Sequence, residues 1–132
     1  LELTAAATPA RRVDSIHWGG GTPGILGPAR FAEIAERVGD LFSLSATIEH
    51  SIELDPRLLT AEFVAMLPRA GVNRASLGVQ DFNDHVQQAS GRVQPFETVA
   101  RAVEMLRAAS AAIARPNRRP CAAESGRWAW CE

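Results

Sequence analysis

The 132-residue chain contains no lysine and no tyrosine, and only two cysteines. All 14 basic residues are arginine, set against 15 acidic ones for a net charge of −1. That balance gives no electrostatic case for binding nucleic acid or an acidic surface. Without lysine, a phosphate-binding G-x-x-x-x-G-K-[ST] loop is excluded, and no G-x-G-x-x-G follows a strand. No apolar run approaches the roughly 20 residues that span a bilayer. The opening LELTAAATPARR lacks the order of a secretory signal. Cys121 and Cys131 match no zinc-ligand spacing, and His17, His50 and His85 have no partner at ligand spacing. The expectation is a cytoplasmic protein with no membrane or nucleic-acid partner. The missing initiator methionine suggests a piece of a longer chain.

What is present alternates between two periods. VDSIHW (13–18) alternates as a strand, and GGGTP follows it. Pro28 suits a first helical turn, and Phe31, Ile34, Ala35, Val38 and Leu41 mark a helix over about 29–42. ATIEHSIELD (46–55) reads as a second strand that Pro56 stops. Thr60 is an N-cap candidate for a helix bearing Phe63, Val64 and Leu67, with Pro68 and Gly71 ending it. VNRASLGVQ (72–80) is a third strand, and a short polar helix follows near 83–90. Pro95 then opens a helix carrying Val99, Ala102, Val103 and Leu106. Residues 1–12 form an irregular lead, 13–109 the folded domain, and 110–132 an irregular tail that is disordered or frame-shifted. Strands alternating with helices predict an α/β class with a parallel sheet of about three βα units. Periodicity leaves an open sheet and part of a barrel equally available.

Ligands in parallel α/β folds bind beyond the carboxyl ends of the strands. Those ends carry Gly19, Gly20, Gly21 and Thr22, then Glu53 and Asp55, then Gln80 and Asp81. Three glycines in a row are costly on folding unless a turn or a close approach needs them. Plainer readings stand beside this one. The acids can be the solvated end of a strand, Asp81 can cap the next helix, His17 can be a hydrogen-bonded core residue, and Arg92 a surface charge.

Four motifs in order, HWGGGTP (17–23), SIELDPR (51–57), NRASLGVQDFNDHVQ (73–87) and GRVQPFE (91–97), resemble the oxygen-independent coproporphyrinogen III oxidases. These are monomeric radical S-adenosylmethionine (SAM) enzymes. The resemblance runs from about residue 13 to 109 and implies a partial (β/α) barrel, incomplete relative to the family fold. It implies that Gly20 and Glu53 contact one SAM, and that Gly21, Thr22, Gln80 and Arg92 contact a second. It also implies an iron–sulfur cluster that cleaves SAM to a deoxyadenosyl radical. The radical abstracts hydrogen from a propionate of the porphyrinogen substrate, and loss of carbon dioxide and an electron leaves a vinyl group.

The chain departs from the family in four places, one of them Pro68, which interrupts a helix that is usually continuous in the family. The C-x-x-x-C-x-x-C cluster motif is missing, since no cysteine precedes Cys121. The later Tyr-Gly-Leu-Pro strand is also missing. Gly91 stands where the family commonly has Asn. An internal fragment, inactive by itself, is therefore expected, with no catalytic or metal-binding residue assigned. A haem chaperone sharing the same barrel is the alternative, but its relatives tend to lack His17-Trp18 and the run of Gln80, Asp81, Phe82, Val86 and Gln87. An unrelated α/β binding domain is a further alternative.

Overall fold

The computed structural model of the chain describes residues 1–8 and 12–113. Strand β1 (Arg12–Trp18) pairs in parallel with β2 (Ser43–Leu54), and β2 pairs in parallel with β3 (Arg74–Leu77). The sheet order β1-β2-β3 follows the chain, so among the described residues β1 and β3 are its edges and the sheet is open. Helices α2 (Gly27–Leu41) and α3 (Ala61–Met66) are the crossovers; α4 (Asp84–Ala89) and α5 (Phe96–Ile113) follow β3. No described helix is long and apolar enough to cross a membrane.

The helix ends follow their local chemistry. A 3-10 turn, Pro23–Leu26, leads into α2, which has a proline in its first turn as expected. The Thr60 hydroxyl accepts from the Phe63 amide at 3.1 Å and caps α3. That helix ends at Met66, two residues before Pro68, and Gly71 leaves the turn with φ +84°.

Three details differ from the sequence reading. Glu2–Ala7 forms a short helix, α1, where an irregular lead is expected; Ala5 is buried, and Arg37 pairs with Glu2 at 2.5 Å. Asp81 does not cap α4. Asn83 does, accepting from the His85 amide at 3.0 Å, while Asp81 accepts from the Asn83 amide at 2.7 Å. In a run of Asp81, Asn83 and Asp84 several side chains can cap, and the turn geometry chooses. Helix α5 runs on to Ile113, past the expected boundary at 109. The rest of the tail, with Cys121 and Cys131, lies outside the described residues.

The two faces of the sheet differ in chemistry. One carries Ile52, Leu54 and Ala75, all buried, and Phe31 of α2, Phe63 and Val64 of α3 and Leu106 of α5 pack on it. The Phe31 ring lies 4.4 Å from Trp18 and 5.5 Å from Phe63, measured between centroids. The Trp18 indole donates to His50 Nε2 at 2.6 Å on this buried side. An indole N–H can only donate, so His50 Nε2 carries no proton there. Burial pushes the imidazole below its ordinary value accordingly. On the other face the register pairs His17 with Ser51 and Glu53 with Ser76, so polar side chains stand together. A parallel sheet covered on both faces has apolar residues throughout. This one alternates, and its polar face points away from the helices.

Candidate functional site

The carboxyl ends of the three strands converge on one carboxylate. Glu53, the next-to-last residue of β2, is exposed, and neither of its oxygens has a hydrogen-bond partner among the described residues. Its Oε2 stands 3.7 Å from the point where a Cβ would sit on Gly19, just after β1. Its Oε1 stands 3.9 Å from the equivalent point on Gly78, just after β3. Arg92 Nη2 lies 3.7 Å from that second point. The missing side chains of Gly19 and Gly78 therefore leave space on both sides of Glu53.

The glycines play unequal parts. A Cβ on Gly19 would stand 2.7 Å from His17 Nε2, closer than real Cβ contacts come. Gly20 has φ +77°, a left-handed backbone that L side chains rarely adopt. Around Gly20 and Gly21 nothing stands within 4 Å of a Cβ position, so their backbones face open space. Thr22 is half-buried, and its carbonyl accepts from the Ile25 amide at 3.0 Å to start the 3-10 turn. Gln80 is exposed in the loop after β3 and makes no hydrogen bond to a described residue. Glu53, Gly19, Gly78 and Arg92 are thus brought together. No described contact joins Gln80 or Thr22 to them.

Arg92 reaches the site from a loop fixed by a network not foreseen from the sequence. Asp55, buried just after β2, accepts from the Arg57 amide at 3.0 Å and from Arg57 Nη2 at 2.6 Å. These bonds hold its carboxyl down at about 2. Gln94, fully buried, donates from Nε2 to Asp55 Oδ1 at 3.3 Å and to the Gly78 carbonyl at 3.2 Å. Gln87 accepts from the Gln94 amide at 2.7 Å and donates to the Asp81 and Gln94 carbonyls at 2.9 and 3.2 Å. These bonds close the excursion from Gly78 to Gln94 on itself and place Arg92 Nη2 3.9 Å from Asp55 Oδ2. Gly91 has φ +66°, a conformation that favours glycine and, next, asparagine. A lone buried glutamine has no period, so Gln87 and Gln94 gave no signal beyond their place in the motifs.

A free carboxylate, an arginine fork and exposed backbone groups suit a small polar ligand with hydrogen-bond donors and a carboxylate. The described residues contain no cysteine, and no group of three His, Cys, Asp or Glu among them could hold a metal ion. Among the described residues there is therefore no ligand set for a cluster.

The comparisons with known proteins agree on one family. Residues 1–112 match the radical SAM superfamily. The chain is 48% identical over 109 residues to the oxygen-independent coproporphyrinogen III oxidase of Bradyrhizobium diazoefficiens, covering 81% of this chain and 24% of that protein. It is 42% identical over 105 residues to the enzyme of the same name from Paracoccus denitrificans, covering 80% and 23%. Among solved structures, coproporphyrinogen III oxidase from Escherichia coli superposes with a TM-score of 0.70 at 38% identity, over 74% of this chain and 23% of that one. An archaeal Elp3 from Methanocaldococcus infernus shares the fold at a TM-score of 0.51 and 16% identity, over 76% and 28%. The chain spans about a quarter of the length of the curated relatives it matches. With a parallel βα sheet whose strand ends meet at Glu53, and with this match along most of its length, the chain belongs to the radical SAM superfamily.

Proposed function

We propose that these residues form the SAM-binding part of an oxygen-independent coproporphyrinogen III oxidase. In this reading the whole enzyme works in the cytoplasm as a monomer and converts propionate side chains of coproporphyrinogen III to vinyl groups. The observation that supports this reading best is the convergence of Gly19, Glu53, Gly78 and Arg92 at the carboxyl edge of the sheet. Bound SAM supplies the hydrogen-abstracting chemistry. The chain's own residues hold and orient it. Glu53 accepts hydrogen bonds from ammonium or hydroxyl donors, and Arg92 presents its guanidinium to a carboxylate. Gly20 lets the backbone turn at positive φ so that peptide groups approach the ligand without side chains between. In this reading Gly20 and Glu53 serve one SAM, and Gly21, Thr22, Gln80 and Arg92 serve a second. With cysteines only at 121 and 131, the chain does not by itself assemble the cluster or oxidise the porphyrinogen.

A graft tests the reading. Residues 13–109 replace the matching segment of the Escherichia coli oxidase, whose own cluster motif is kept. Anaerobic release of carbon dioxide from coproporphyrinogen III is the expected result. A graft that keeps its cluster absorbance and binds SAM, yet releases none, would overturn the assignment of substrate.

A further inference from the structure

His17 is exposed, so the plainer reading of it as a hydrogen-bonded core residue does not hold. Its Nδ1 lies 3.0 Å from the Ser51 hydroxyl, across the register pair that joins β1 to β2. That hydroxyl also lies 3.3 Å from the Ile16 carbonyl, which can only accept. A hydroxyl that gives its proton to that carbonyl accepts from His17, an arrangement that puts the imidazole proton on Nδ1 and leaves Nε2 with a lone pair. Nε2 stands 2.7 Å from the vacant Cβ point of Gly19, and Glu53 Oε2 stands 3.7 Å from that same point. Only glycine at position 19 allows the ring to lie there. Neither acceptor has a hydrogen-bond partner that faces this space among the described residues.

We infer that His17 Nε2 and Glu53 Oε2 form a two-acceptor subsite over Gly19. It grips a donor-bearing group of the ligand, an ammonium or a ribose diol. The inference rests on the proposal that this strand edge binds SAM, and it adds His17 to the residues that touch the ligand. Ser51 is a positioning residue that sets the tautomer and aims the ring. Gly19 is required for the imidazole, a different demand from the positive φ at Gly20.

The test uses the full chain, with 15N-labelled histidine observed by NMR during titration with SAM, L-methionine or methylthioadenosine. The His17 spectrum of the free chain shows a protonated Nδ1 and an unprotonated Nε2. Saturation with SAM shifts Nε2 toward a hydrogen-bonded value. Methionine reproduces the shift if the ammonium is gripped, and methylthioadenosine does so if the ribose diol is. His17→Ala weakens SAM binding about tenfold, the scale of one hydrogen bond to a charged or well-placed donor. Ser51→Ala, which leaves the imidazole in place, weakens it less and broadens or moves the Nδ1 resonance. A protonated Nε2 in the free chain, or a Nε2 resonance unmoved while SAM binds, would overturn the inference and leave the SAM reading standing. Failure of the unsubstituted chain to bind SAM would overturn both.

Discussion

Replacing Asp55 with asparagine tests whether the hydrogen-bonded network under the site has the energetic weight its geometry implies. The carboxylate is 7% exposed and takes hydrogen bonds from Arg57 and from Gln94. Its folded value is held at about 2 against an ordinary 3.8. At about 1.4 kcal/mol per pH unit, that difference corresponds to about 2.5 kcal/mol. The Arg57 side chain is 38% exposed, so solvent screening lowers the net contribution to about 1–2 kcal/mol. The unfolded chain binds the extra proton between the two values, so stability rises with pH through this window. The contribution is fully present above about 3.8 and is lost as pH falls through about 2. Urea unfolding of the full chain at a series of pH values measures it. The difference between the unsubstituted chain and Asp55→Asn should be about 1–2 kcal/mol at pH 7 and shrink towards pH 2. A difference that does not change with pH over that range would refute the role given to the Asp55–Arg57 pair.

Other expected outcomes follow from single residues. His50 has its ordinary value pushed down by burial, so its contribution is complete above about 6.5 and is lost as pH falls below that. Urea midpoints should therefore drop between pH 7.5 and 5 in the unsubstituted chain and drop less in His50→Gln. Phe31 is fully buried between Trp18 and Phe63, so Phe31→Ala should cost about 3–5 kcal/mol in the same assay. At φ +66°, Gly91→Ala should lose about 1 kcal/mol and Gly91→Asn distinctly less, which thermal unfolding of the two variants compares directly.

Where the sequence was legible, one strong local signal dominated. Proline in the first turn of α2 and after β2, threonine before α3 and glycine at 71 each act within a few residues, and the element order follows from them. Strand β2 extends back to Ser43 because pairing with Arg12 and Val13 recruits Ser43, Leu44 and Ser45, a stretch too short to show a period of its own. The register then shifts between Val13 and Ser15, a tertiary event that no pattern encodes. Its place between Ile16 and Trp18 leaves His17 open to a reading as a core residue. Alternation instead puts it on the opposite face from Trp18, and only the pairing with Ser51 reveals that face as polar. Motif and strand-end position single out Glu53 and Arg92 in the sequence, and the structure sets both beside Gly78. Their closeness depends on the loop that Gln87 and Gln94 close, which is a long-range arrangement.

The central claim is that the carboxyl edge of this sheet binds SAM through Glu53 and Arg92. Titration calorimetry of the full chain with SAM, beside Glu53→Gln and Arg92→Gln, tests it most directly. Saturable binding of two SAM per chain, with Glu53→Gln weakening one site and Arg92→Gln the other by at least about tenfold, is the predicted result. No saturable heat with the unsubstituted chain, or equal affinity in all three proteins, would contradict it.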